Sequence, residues 1–193
     1  MGKLKWVQSA GGPLLLMPAT LRRRWSGIEP TKDLLNDARF RWDKSMSTPS
    51  DYDRACDVSG LLVTLEIGDG QGLVLGEQPL TTAWVPFAGK PGGTLVRWVY
   101  ADTETEVRRA VQSVPGKLFR RSKVVFTFTG RLAVLFDSAI PGQALYDWSA
   151  DSFCRFTLAA GRYSVSTADY SPSDEVRVIL HRLTPVGTVR GLK

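Results

Sequence analysis

The chain has 193 residues, 43% of them hydrophobic and 23% charged, with two cysteines and one histidine. That balance excludes a disordered chain, a fibrous repeat and a disulfide-stapled scaffold. The net charge of +6 fits an anionic partner or simple solubility, and so few Cys and His side chains leave little room for metal or nucleophilic chemistry.

The first residues are basic but no apolar run succeeds them, and no stretch approaches the roughly 20 apolar residues of a membrane helix. The expectation is a cytoplasmic protein with no membrane segment. Leu14, Leu15, Leu16 and Met17 form a short apolar run between Pro13 and Pro18, and a short helix is expected over residues 21–25. Residues 26–50 have weak periodicity and read as a long loop, with one helical turn near 33–38. Val63, Leu65 and Ile67 then alternate with Thr64 and Glu66, as in a half-buried strand. The glycines at 68, 70 and 72 suggest a phosphate cradle, but no Gly-Lys-Ser/Thr and no helix come after them, so a hairpin turn is expected. Thr94, Val96, Trp98 and Tyr100 make one face of a further strand, with Leu95, Arg97 and Val99 on the other.

The clearest helix spans residues 103–114. Thr103 caps it, Glu106 completes a capping box, and Val107, Ala110, Val111 and Val114 share one face before Pro115 and Gly116 end it. Val124, Phe126 and Phe128 alternate up to Gly130, and Leu132, Val134 and Phe136 resume after it, which predicts a tight hairpin. Tyr163 and Val165, then Ile179, His181 and Leu183, carry the period of two to the C-terminal region. In that setting His181 reads as a partly buried strand histidine. The expected fold is α+β and predominantly antiparallel β.

A short internal echo adds a view of domain organisation. Asp53 and Cys56, with the strand pattern after them, resemble Asp151 and Cys154 with theirs; Gly12-Pro13-Leu14-Leu15-Leu16 has a looser counterpart at residues 130–135. Two diverged β-rich halves are expected. The first is 1–114, with the loop 26–50 and the helix 103–114; the second is 115–193, and both pack as one compact unit. The cysteines are then small buried side chains in equivalent places, unpaired with each other.

Several pieces in order resemble the immunity protein 21 family of bacterial polymorphic toxin systems. They are Trp6-Val7-Gln8-Ser9 running into Gly11-Gly12-Pro13-Leu14, the Leu21 to Trp25 segment, and the distinctive Ser50-Asp51-Tyr52-Asp53-Arg54-Ala55-Cys56. Gly72-Leu73-Val74-Leu75-Gly76, Thr82-Ala83-Trp84, Arg97-Trp98 and Phe136-Asp137-Ser138 complete the set. The resemblance implies a cytoplasmic protein that binds and neutralises a cognate toxin without catalysis. It supplies no toxin-contact residues.

Binding interfaces are dominated by a few aromatic and arginine anchors. Among six tryptophans, Trp25 and Trp42 border the irregular segment, and Trp84 precedes Val85-Pro86 at an expected strand end or loop. Asp51, Tyr52 and Arg54 are the sharper candidates, since carboxylates and a guanidinium recognise opposite charges on a partner. Asp53 is expected to hold structure, and Asp137 to cap a turn. No cofactor, metal or small-molecule substrate is expected. The alternatives are a nucleic-acid-binding module using Arg22, Arg23 and Arg24 with Arg120, Arg121 and Lys123, and a small hydrolase using Asp51 and Asp53. Charge divides as +3 over 1–60, −2 over 61–115 and +5 over 116–193. That excess disfavours phosphate mimicry and fits a toxin with an acidic face or an inhibitor acting mainly through shape.

Overall fold

A computed structural model describes residues 4–9, 11–28, 50–145 and 152–187. Eleven strands are distinguished there: β1 (Trp6–Val7), β2 (Leu14–Pro18), β3 (Val63–Ile67), β4 (Gly70–Leu75), β5 (Thr82–Pro86), β6 (Gly93–Tyr100), β7 (Arg120–Phe128), β8 (Leu132–Asp137), β9 (Phe153–Thr157), β10 (Gly161–Ser173) and β11 (Val176–Pro185). Two α-helices accompany them, α1 (Asp51–Cys56) and α2 (Glu104–Ser113), with 3-10 turns at Ala19–Arg24 and Gly116–Leu118. The strands form two antiparallel sheets, one in the order β1-β5-β6-β11-β10-β7 and one in the order β3-β4-β2-β8-β9.

Alternation places the core. Leu14, Leu16, Leu73, Leu75, Ala133 and Leu135 from the five-stranded sheet meet Leu95, Phe126, Phe128, Tyr163, Val165 and Leu183 from the six-stranded sheet. The opposite side chains of the same strands build two outer layers. Leu15, Met17, Val74, Val134 and Phe136 pack against Leu21, Trp25 and Ala55, so the 3-10 turn and α1 cover the five-stranded sheet. Val96, Ala168, Val178 and Leu180 pack against Val107 and Ala110 of α2 on the far side of the six-stranded sheet. Every large apolar face thus finds a partner layer, the condition that makes stacked sheets stable.

α2 forms as its signals predict: the Thr103 hydroxyl accepts from the Glu106 N–H, and the Glu106 carboxylate accepts from the Thr103 N–H at 2.9 Å. The expected helix after Pro18 is a 3-10 turn over Ala19–Arg24. The expected turn near 33–38 lies outside the described residues.

Three expectations change. Gly130, at φ +98, does not join a hairpin: β7 pairs with β10 in one sheet, while β8 pairs with β2 and β9 in the other. The turn therefore carries the chain across the core, where Phe126 and Phe128 belong to the same cluster as Ala133 and Leu135. The two segments that echo each other around the cysteines adopt different structures, since Cys56 ends a helix and Cys154 lies on β9. Both thiols are free. Residues 51–56, for which no element was expected, form α1. Each sheet takes strands from before and after residue 114, and β2 is bonded directly to β8, its looser counterpart in sequence.

Candidate functional site

α1 is short, and its ends explain why it forms. The Ser50 hydroxyl accepts from the Asp53 N–H at 3.1 Å while the Asp53 carboxylate accepts from the Ser50 N–H at 2.8 Å, a reciprocal cap using Asp in place of the usual Glu or Gln. Asp53 is thereby spent on structure. Asp51, in the first turn, accepts from both the backbone N–H (2.7 Å) and the hydroxyl (3.0 Å) of Ser26, and from Arg54 at 2.9 Å. Arg54 also donates to the Glu66 carbonyl at 2.7 Å. These bonds tie the helix to the chain leaving the 3-10 turn and to the β3–β4 hairpin. The side chain of Arg54 remains about a third exposed, at 36%.

The aromatic candidates face inward. Tyr52 is buried, and a Cβ on Gly12 would sit 2.6 Å from its ring, so glycine there is a condition for the close approach. Trp25 is 1% exposed, and its indole N–H donates to the Ser138 carbonyl at 2.8 Å. Trp84 lies within β5, not at a loop, stacked on Phe156 at a centroid distance of 4.5 Å. Trp42 lies outside the described residues. Asp137 is buried at the end of β8, where its carboxylate accepts from the Ala139 N–H at 2.9 Å as a turn cap.

Between α1 and the β4–β5 connection lies a cleft of about 230 Å³. Its walls are residues 11–13, then Ala55, Cys56 and Val58, then residues 76–79. Pieces far apart in sequence are locked together here. Ser138 donates to the Pro13 carbonyl through its N–H (3.1 Å) and its hydroxyl (2.7 Å). Gly76 donates to the Leu61 carbonyl at 3.1 Å, and a Cβ at Gly76 would lie 2.5 Å from the Gly60 carbonyl oxygen, so only glycine fits.

The rim at residues 76–79 is unusual in its backbone. Glu77, at φ +61, has the only positive φ among the described non-glycine residues, and its side chain is exposed. Such a conformation costs an L-residue about 1–2 kcal/mol and persists where the surroundings impose it. The surroundings are Arg97, fully buried on β6, whose guanidinium donates to the carbonyls of Gly76 (3.0 Å) and Gln78. Burial pulls Arg97 down to about 10, a shift that the nearby Glu77 carboxylate opposes. Arg97 thus stays charged at neutral pH and clamps the rim from beneath. Sequence reasoning placed Arg97 on the correct strand face but did not foresee this role, because its acceptors are backbone carbonyls and leave no side-chain signature.

Burial pushes the Cys56 thiol up, and it pushes the Tyr52 hydroxyl, hydrogen-bonded to that sulfur, up as well. Both are neutral at physiological pH, so Cys56 lacks the thiolate a nucleophile needs. His181 is fully buried on β11, with Nδ1 2.9 Å from the Thr167 hydroxyl. Burial, then the Arg97 charge, holds it down at about 3, which removes it from acid–base work near neutrality. Among the described residues no cluster of His, Cys, Asp and Glu could hold a metal ion, and no helix is long and apolar enough to cross a membrane. What the cleft offers is shape, backbone polar groups and a rigid rim.

A family model described as Immunity protein 21 matches residues 5–176 of the chain. No curated protein and no solved structure matches it.

Proposed function

From the premise that this chain belongs to the immunity protein 21 family, we propose that it binds one cognate polymorphic toxin and neutralises it by occupying the toxin's surface, without turnover, in the cytoplasm of the cell that makes both. The family match over residues 5–176 carries this reading. The cleft beside α1 is the docking site. Support comes from its construction: several sequence pieces that distinguish the family, around Gly12, Cys56 and Gly76, meet at its walls. A rim set by a buried guanidinium loses little conformational freedom on binding, which favours affinity.

Among the rim residues and the candidates read from sequence, the roles divide by exposure. Glu77, Gln78 and Pro79 on the exposed rim, with the edge of Arg54 and its partner Asp51, meet the toxin. Tyr52 and Trp25 act from beneath by fixing the position of the Gly12 segment and of Ser138. Trp84 stabilises the interior stack with Phe156.

The test is co-expression with the toxin encoded beside this gene, followed by size-exclusion chromatography. The wild-type chain is expected to restore growth and to elute as a complex. Glu77→Lys with Gln78→Ala, at exposed positions, is expected to weaken binding tenfold or more, the equivalent of about 1.4 kcal/mol. Absence of rescue and of a complex by the wild type would defeat the function, whereas wild-type affinity in the double variant would defeat the site alone.

A further inference from the structure

The outer face of the six-stranded sheet is covered by α2 only in part. Beyond the helix, the register aligns Arg121 of β7 with Ser166 of β10, and Ser166 with Arg182 of β11. One step along, Val125, Ser164 and Thr184 are aligned; a further step brings Thr127 beside Arg162. Lys123, exposed two residues from Arg121, lies in the irregularity where four residues of β7, from Val125 to Arg121, span two of β10. Arg121, Lys123 and Arg162 are exposed, and Arg182 is half-buried with its guanidinium 3.6 Å above the Phe119 ring. The Arg182 Nε is buried and has no hydrogen-bond partner among the described residues.

Among the described residues no carboxylate answers these cations. Residues 107–136, 152–168 and 176–187 contain no Asp or Glu at all. Some arginines elsewhere are ion-paired: Arg54 with Asp51, Arg108 with Glu104, Arg177 with Asp169. Arg121, Lys123 and Arg162 have no such ion pair among the described residues. Neighbouring strands are about 4.8 Å apart and residues about 3.4 Å apart along each, so the four cations fall in a patch roughly 15 Å across. Val186, 41% exposed and bonded through its N–H to the Arg162 carbonyl at 2.7 Å, supplies an apolar spot at the patch edge.

We propose that this face is a second contact surface, one that receives a cluster of carboxylates on the toxin. The inference rests on the toxin-binding reading above and deepens it by naming the partner's chemistry. A patch of like charge with no internal counter-ion raises the encounter rate with an acidic surface and is answered only when that surface arrives. Its shape favours a protein over a nucleic acid. The cations form a compact group on a sheet face, and Phe119, the ring beneath Arg182, is capped by that guanidinium and closed to a stacking base.

The experiment measures association and dissociation of the purified full chain with a catalytically inactive form of the toxin encoded beside it, at several salt concentrations. Arg121→Glu, Lys123→Glu and Arg162→Glu together are expected to slow association at least tenfold at low salt and to flatten its salt dependence, with dissociation changed far less. The matching triple Gln variant, which carries no reversed charge on the sheet, is expected to fall between that variant and wild type. If wild type binds and both triple variants associate at the wild-type rate, the proposal fails while toxin binding stands. If wild type forms no complex, the reading it rests on fails. A wild-type affinity for a duplex or single-stranded oligonucleotide that exceeds that for the toxin, and that the triple variants lose, would assign the face to nucleic acid and overturn the proposal.

Discussion

Around α1, the charged side chains are answered within the chain: Asp53 by Ser50, Asp51 by Ser26 and Arg54, and the rim carbonyls of Gly76 and Gln78 by the buried Arg97. On the outer face of β7, β10 and β11, Arg121, Lys123 and Arg162 stand exposed without an ion pair among the described residues. The first region uses polarity to build a fixed concave shape. The second leaves polarity over for an approaching surface. Local satisfaction gives rigidity and complementarity; unanswered charge gives speed and discrimination. On the proposed function, a protein that captures a toxin benefits from both, and this chain keeps them in different regions.

The contrast can be broken first on the cleft side, where changes should register as lost stability. Trp25→Ala removes a fully buried indole and its bond to Ser138, and thermal or urea denaturation is expected to show a loss of about 3–5 kcal/mol. A loss below about 1 kcal/mol would mean that the layer over the five-stranded sheet contributes little to the fold.

The interior between the two regions gives the next largest effect, and it depends on pH. His181 titrates at 6.5 when unfolded and is held at about 3 in the fold, so the unfolded chain binds its proton first. The stability tied to its neutral form is therefore complete above about pH 6.5 and is lost as pH falls toward 3, by about 1.4 kcal/mol per pH unit. His181→Gln, with a non-titrating amide beside Thr167, is expected to flatten that share of the acid dependence in denaturation curves. An unchanged slope would show that the imidazole is not held neutral.

The smallest stability effect is expected on the cationic face. The triple charge reversal there should leave denaturation within about 0.5 kcal/mol of wild type, the usual range for exposed substitutions. A larger loss would mean that these cations serve the fold, and the contrast between the two regions would collapse.

Much of the fold was legible because period-two alternation reports burial directly: the patterns at Val63, Thr94, Val124, Leu132 and Ile179 all became strands. α2 was legible through its cap. α1 was not, because six residues offer only Tyr52 and Ala55 as an apolar pair and its cap uses Asp at the third position. The turn at Gly130 shows a deeper limit. Alternation reveals which side chains point inward, but not which sheet a strand joins, and a glycine turn serves a hairpin and a crossover equally well.

The cleft was hidden for a related reason. Its walls mix glycines and prolines with Ala55, Cys56, Val58, Glu77 and Gln78 from three distant segments, and no one segment shows a concave site until the three are brought together. Tyr52, Trp25 and Trp84 drew notice by residue type, and the fold buries them. The cluster at Arg120, Arg121 and Lys123 was visible as sequence, whereas Arg162 and Arg182 join it only through strand register.

Docking of the toxin at the α1 cleft is tested most directly by amide hydrogen exchange on the full chain, free and in complex with the inactive toxin. Exchange is expected to slow at residues 11–12, 56–60 and 76–80, with the outer layer around α2 unchanged. A stable complex that leaves exchange at those three segments as it is in the free chain would contradict docking there.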